Sequence, residues 1–214
     1  MESFAVPGVV VRTIAVGHMD NNVYLLTATT GERLLVDAAA DPDAIEGLLA
    51  VGADGPSRLD HVLTTHSHRD HLGALAAVVR AHPEAATLAG EDDAEAITGS
   101  TGVEITRPLR NGEVIALGGV DLDVIGLRGH TPGSVALACS RPGSPTHLFT
   151  GDALFPGGVG RTRNERDFRS LLDDVVERVF SVFPDDTVVW PGHGRPTTLG
   201  AERPHLDQWS ARGW

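Results

Sequence analysis

The segment Thr65-His66-Ser67-His68-Arg69-Asp70-His71 limits what this chain can become more than any other stretch of it. Three imidazoles and a carboxylate fall within residues 66–71, directly after an apolar run at 59–64 that reads as a short buried strand. Neutral imidazole and carboxylate are the natural ligands of zinc and related first-row ions, and a loop leaving a strand can fan adjacent side chains around two of them. Alternate residues of an extended stretch share a side, so His66 and His68 are placed to grip one ion while Asp70 and His71 turn toward another.

Three more segments end predicted strands in the same manner, each punctuated by glycine or proline: Gly129-His130-Thr131-Pro132-Gly133, Thr150-Gly151-Asp152 and Pro191-Gly192-His193-Gly194. Singly, a histidine in such a turn is ordinarily a turn residue and no more. Together with residues 66–71 they supply five histidines and two aspartates, enough for two ions with room for water if one carboxylate bridges.

The rest of the chain reads as sheets with helices outside them. Residues 9–16, 23–27 and 33–37 are β-branched and apolar, separated by turn signals, and suggest an antiparallel meander. Asp41-Pro42-Asp43 caps a first helix over 44–50, and an alanine-rich helix is expected over 72–81. Strand runs at 113–117, 121–127, 135–139 and 147–150 imply a second sheet, with 141–145 as a hairpin loop. The stretch 167–180 carries Phe168, Leu171, Leu172, Val175, Val176 and Val179 on one face and predicts a surface helix, followed by a strand at 187–190. No repeat or low-complexity linker divides the chain, and one domain over 1–214 is expected.

Composition narrows the partners. With 29 acidic residues against 17 basic ones the formal charge is −12, which repels nucleic acid and acidic membranes at long range, so neither is expected as a partner. Cys139 is the lone cysteine, so no intrachain disulfide can form. The N-terminus shows no basic segment leading into a long apolar one, and nowhere is there an apolar run of the ~18 residues that a membrane span needs. The expected setting is cytoplasmic, the expected partner a small-molecule substrate, and the chain a monomer or homodimer.

The ordered motifs over 65–194 resemble those of the metallo-β-lactamase superfamily. That resemblance implies a four-layer αββα sandwich of the metallo-β-lactamase type, with metals at one edge. It implies His66, His68 and His130 as one metal site, Asp70, His71 and His193 as a second, and Asp152 as the ligand between them. Within the superfamily an aspartate at 152 is unlike the β-lactamases and a histidine at 68 is unlike the flavodiiron proteins. Residues 149–155, the run Gly157-Gly158-Val159-Gly160-Arg161-Thr162 and Pro191-Gly192-His193-Gly194 are similar to the glyoxalase II group, which hydrolyses thiol esters of 2-hydroxy acids. The longer enzymes of that group carry a C-terminal helical region that helps bind glutathione. Here Thr197–Trp214 follow the last ligand, with 197–203 expected as a cap and short helix, and the thiol carrier is left open.

The chemistry this implies is a dinuclear centre of two divalent ions, zinc first with iron or manganese as alternatives, that generates hydroxide at neutral pH and polarises a thioester carbonyl. Asp70 is assigned a catalytic part, orienting that hydroxide as well as ligating. Lactones and phosphodiesters are variant substrates for the same site. The competing reading is a persulfide dioxygenase, which resembles the same branch and holds a single iron through the equivalents of His66, His130 and Asp152. A structural metal in a non-catalytic protein is disfavoured, because such sites are usually closed and rich in cysteine. His18 and Arg161 are candidates for the substrate mouth. His61, His82, His147 and His205 lack ligand-like neighbours, Cys139 belongs to packing, and Trp190, Trp209 and Trp214 read as core or C-terminal packing.

Overall fold

A computed structural model describes residues 1–51 and 58–213. Its strands, in chain order, are β1 (Glu2–Val6), β2 (Val9–Val16), β3 (Asn21–Ala28), β4 (Arg33–Val36), β5 (His61–Thr64), β6 (Ala86–Gly90), β7 (Arg107–Leu109), β8 (Val114–Leu117), β9 (Val120–Gly126), β10 (Val135–Cys139), β11 (His147–Gly151), β12 (Leu154–Phe155), β13 (Gly158–Val159), β14 (Val188–Pro191) and β15 (Thr197–Thr198). The helices are α1 (Pro42–Ala50), α2 (Leu75–Ala81), α3 (Glu91–Thr101), α4 (Glu165–Val175), α5 (Leu199–Glu202) and α6 (Leu206–Arg212).

One sheet runs β1 to β7 in sequence order; the second runs β15-β14-β11-β10-β9-β8. The expected meander is present, since β2, β3 and β4 pair antiparallel. From β4 onward the first sheet turns parallel, as does the β11–β14 pair of the second.

The alternation within strands builds the layers. Leu34 and Val36 of β4 face the second sheet, meeting Leu137, Cys139 and Phe149 in a core between the sheets, while Leu35 faces the other way. On that outer side Leu35, Val62 and Ala89 pack against Ile45 and Leu49 of α1, Leu75 and Val78 of α2 and Ile97 of α3. Outside the second sheet, Ala136, Ala138 and Leu148 meet Phe168, Leu171 and Val175 of α4 and Trp209 of α6. Helices, sheet, sheet and helices make the αββα sandwich. Cys139 lies in the inter-sheet core, and burial pushes its thiol up to about 11, as packing rather than nucleophilic chemistry requires.

Several boundaries differ from the expected ones. The helix expected from residue 72 starts at Leu75, and residues Arg69–His71 form a 3₁₀ turn instead. That turn presents Asp70 and His71 at the sheet edge. The 167–180 helix is α-helical from Glu165 to Val175 and closes as a π turn over Val176–Phe180, with the Ser181 N–H donating to the Val176 carbonyl. Strands β1, β6, β7, β12, β13 and β15 and helices α3 and α6 have no counterpart in the sequence reading. The cap and short helix expected over 197–203 appear as Thr198 capping α5. Trp214 lies outside the described residues.

Candidate metal centre

The candidate ligands gather where strands end. Residues 65–71 follow β5, Asp152 follows β11 and His193 follows β14, so three of the ligand loops leave the carboxyl ends of parallel-paired strands, and His130 lies just before β10. Ligands of open α/β sheets commonly sit there, because the loops fan out from a rigid edge. The backbone stitches these loops together. The Asn22 N–H donates to the Gly192 carbonyl and the Gly192 N–H to the Gly151 carbonyl, both at 2.7 Å, while the Asn22 amide and Tyr24 hydroxyl hold the Pro191 carbonyl.

All seven residues singled out in the sequence meet at this edge. Possible ligand atoms of His66, His68 and His130 lie mutually within 4.8 Å, as do those of Asp70, His71 and His193. A third group, His66, His71 and Asp152, spans the two. The spacings are those of ligands rather than of hydrogen-bonded pairs. His66 Nε2 is 3.3 Å from His130 Nε2, and His71 Nε2 is 3.3 Å from His193 Nε2. His193 Nε2 is 3.3 Å from Asp70 Oδ2, and Asp152 lies 3.4 Å from His71 and 3.5 Å from His193. Two ligands at the usual zinc distances around a tetrahedral ion stand about 3.4 Å apart. Asp152 Oδ1 is buried without a hydrogen-bond partner, an acceptor desolvated with nothing to satisfy it except a cation. The donor set fits divalent metal.

Four of the five rings are aimed by their other nitrogen. His71 Nδ1 donates to Asp37 Oδ2 at 2.8 Å, His130 Nδ1 to the Arg161 carbonyl at 2.6 Å and His193 Nδ1 to the Met19 carbonyl at 2.9 Å. The Thr65 hydroxyl donates to Asp37, which leaves its oxygen to accept from His66 Nδ1 at 3.0 Å. These bonds turn the four Nε2 atoms toward the centre, as metal ligation requires, with the Asn21 amide nitrogen 3.3 Å from that of His193. Burial and neighbouring imidazoles push His66 and His68 below the ordinary histidine value, favouring the neutral ring. Burial opposes the charge of Asp152, but the His193 and His71 rings outweigh it and hold the carboxyl well below the ordinary carboxylate range.

Asp37 escaped the sequence reading as a site residue. It sits immediately after β4 with φ 59°, nearly fully buried, and accepts from the Thr65 N–H, the Thr65 hydroxyl and His71. In sequence it reads only as the last residue of the strand expected over 33–37. Asn21 escaped as well; its amide donates to Asp70 Oδ2 at 2.9 Å. Arg161 acts here through its carbonyl, and among the described residues its side chain forms no ion pair. The turn containing His18 covers His193 through Met19, with His18 itself exposed. His82 pairs with Glu46 and His147 accepts from the Trp190 indole, both as parts of the scaffold.

Gly192 shows how closely the loops approach. A Cβ there would stand 2.2 Å from Asp152 Oδ1 and 2.8 Å from His71 Cε1. Gly192→Ala therefore displaces the Asp152 carboxylate. The expected result is a folded protein that retains metal about 10- to 100-fold more weakly, as measured by chelator competition, since misplacing a ligand costs at least what losing its support does.

Comparison with known proteins agrees with this geometry. A family model for the metallo-beta-lactamase superfamily matches residues 16–193. The chain is 35% identical over 187 residues to a hydroxyacylglutathione hydrolase of Polaromonas sp. (strain JS666 / ATCC BAA-500), covering 86% of this chain and 66% of that protein. It is 32% identical over 181 residues to one from Synechococcus sp. (strain WH7803), covering 82% of this chain and 66% of the relative. The chain thus spans just under two thirds of the length of these relatives. Among solved structures, the di-iron-bound form of TTHA1623 is 31% identical with a TM-score of 0.67, covering 90% of this chain and 96% of that one. The BLEG-1 B3 metallo-beta-lactamase is 27% identical with a TM-score of 0.74, covering 92% and 97%. With the sandwich and a family match over residues 16–193 in agreement, this chain belongs to the metallo-beta-lactamase superfamily.

Proposed function

We propose that this chain is a metal-dependent hydrolase that cleaves a hydroxyacyl thioester, in the manner of the hydroxyacylglutathione hydrolases it resembles. The observation that carries the reading is Asp152, whose buried and unpartnered Oδ1 lies between a three-histidine group and an Asp-His-His group. In this reading His66, His68 and His130 hold one divalent ion, Asp70, His71 and His193 a second, and Asp152 serves both. Metal bound there supplies Lewis acidity toward the thioester carbonyl and a water whose pKa is lowered toward neutrality.

The chain's own groups do the rest. Asp70 Oδ2, fixed by the Asn21 amide, lies on the same side as His71 and His193, where it orients the attacking water and accepts its hydrogen bond. Burial works against its charge, yet Asn21 and His71 keep its carboxyl below the ordinary range, so it stays ionised and able to accept. The departing thiol has an ordinary pKa near 8.5, so it leaves as a thiolate needing little protonation and no dedicated acid is required. The reading carries a small-molecule substrate, one domain over 1–214, no nucleic-acid or membrane partner, and a cytoplasmic setting. Among the described residues no helix is long and apolar enough to cross a membrane.

The decisive measurement is metal content of protein purified without added metal, followed by assay. About two zinc ions per chain with turnover of hydroxyacyl thioesters is the expected result. One iron per chain with oxygen uptake on a thiol persulfide replaces the hydrolase by the dioxygenase reading.

A further inference from the structure

We infer that Asp93 is a positioning residue for the three-histidine subsite, holding all three imidazoles in register through one buried carboxylate. Asp93 lies in the first turn of α3 and is 1% exposed. Its Oδ2 accepts from the Ser67 N–H at 2.8 Å and the Thr131 hydroxyl at 2.6 Å, and its Oδ1 accepts from the Gly133 N–H at 2.9 Å. Ser67 stands between His66 and His68, and Thr131 follows His130. The two loops leave different sheets, one after β5 and one before β10, and this carboxylate joins them.

The packing leaves the brace no slack. A Cβ on Gly133 would come 2.4 Å from the Asp93 nitrogen, and one on Gly90 would come 1.9 Å from the Gly133 carbonyl oxygen. The His130 loop therefore lies directly on the start of α3. The Thr131 hydroxyl is also within 2.7 Å of Ser134 Oγ, and Ser134 Oγ accepts from the Thr131 N–H, which fixes the turn that aims His130. All three groups facing Asp93 are donors. A carboxylate satisfies them on both oxygens, whereas an asparagine of the same size sets an N–H₂ against a donor.

Asp93 has no part in the Asp-His-His group, whose His71 is held by Asp37 instead. Asp37 holds His71 directly and reaches His66 through the Thr65 hydroxyl, whereas Asp93 bonds only to the loops of the three-histidine group, so changing Asp93 leaves the bonds of the Asp-His-His group in place. This inference rests on the two-subsite reading of the metal centre, and its test answers for each independently.

The test compares wild type, Asp93→Asn and Thr131→Val loaded with cobalt(II), whose visible spectrum separates a three-histidine from an Asp-His-His environment, under titration with a chromophoric chelator. For Asp93→Asn the expected outcome is about 10- to 100-fold weaker retention at the three-histidine subsite with wild-type retention at the other. Equal weakening at both subsites, the mark of a merely structural role, overturns the inference, as does wild-type retention at both. Should Asp93→Asn fail to fold, Thr131→Val removes one of the three bonds and no charge. Its smaller loss, confined to the same subsite, supports the inference, and unchanged retention overturns it. A wild type that holds one ion ends the two-subsite reading, and Asp93→Asn still decides: weaker retention of that ion supports the brace and unchanged retention refutes it.

Discussion

Asp152→Ala is expected to lower thioester turnover by about three orders of magnitude and to abolish most of the stabilisation that metal gives, while chelator-treated protein melts within a few degrees of the parent. The first effect follows from what the carboxylate serves. Lewis-acid stabilisation of a developing oxyanion is worth several kcal/mol, and each ~1.4 kcal/mol is tenfold in rate. In the proposed centre Asp152 serves both subsites, so removing it loosens both at once. The second effect follows from mass action, since an ion that binds only the folded chain raises its stability in proportion to the logarithm of its affinity. The third follows from the bonds Asp152 lacks. Its Oδ1 has no hydrogen-bond partner, and its nearest imidazole nitrogens stand at 3.4 to 3.6 Å, beyond good hydrogen-bond geometry. Deleting such an acceptor strands no Nδ1 donor, because His71, His130 and His193 keep those bonds elsewhere, and Asp37 remains as the charge partner of the His71 ring. Differential scanning calorimetry with and without chelator, beside a thioester assay, checks all three. Turnover within tenfold of the parent removes Asp152 from the centre of the mechanism. Collapse of the variant, with a parent that turns over nothing, makes the metal structural.

The donors were legible in sequence because chemistry marks them. A histidine triplet with an aspartate after an apolar strand has few bland explanations, the turn histidines gain weight only beside it, and the structure draws all seven to one edge. The groups that aim them carry no such mark. Asp93 belongs to Glu91-Asp92-Asp93, the acidic first turn of a helix that the sequence reading did not find; Glu91 pairs outward with Arg110, while Asp93 alone turns inward. Asp37 looks like the end of a strand, and its role exists only because parallel β5 sets Thr65 beside it. The sheets followed the same division. Strands whose residues alternate or run apolar were readable, as in 135–139, whereas β7, Arg107-Pro108-Leu109, has a proline and a single buried side chain. It is a strand because β6 offers an edge, a tertiary cause that local pattern does not contain. The helix expected from residue 72 starts late for a related reason: Gly73 runs over the Ala39 carbonyl, where a Cβ would stand 2.6 Å away, and the ligand turn takes the residues before it.

Asp37→Asn should separate the two parts this carboxylate plays. The backbone there has φ 59°, which asparagine tolerates, so the substitution tests the hydrogen bonds and not the turn. Asp37 Oδ1 accepts from the Thr65 N–H at 2.7 Å, and Oδ2 accepts from the Thr65 hydroxyl and His71 Nδ1, both at 2.8 Å. An amide cannot serve all three. If its N–H₂ faces Thr65, a buried donor is stranded at ~1–3 kcal/mol. If it faces His71, the ring must accept at Nδ1 and carry its proton on Nε2, the atom aimed at the metal centre. Either way the Asp-His-His subsite should weaken by about 10- to 100-fold. The pH dependence gives the sharper signature. In chelator-treated protein, burial opposes protonation of His71, but the Asp37 and Asp152 carboxylates outweigh it and push the ring up to about 10. A pKa raised on folding stabilises fully below the unfolded value near 6.5 and is lost as pH rises through about 10. The stability gap between parent and Asp37→Asn should therefore be widest near pH 6 and narrow toward pH 10. Metal affinity runs in the opposite sense, because ligation needs the neutral ring: the parent's affinity climbs across that interval, while the variant's, with its histidine nearer the ordinary value, levels off sooner. Thermal melts at pH 6, 8 and 10 with chelator, paired with metal titrations at the same pH, measure both trends; a stability gap that does not change with pH would show that Asp37 holds the Thr65 loop and leaves His71 alone.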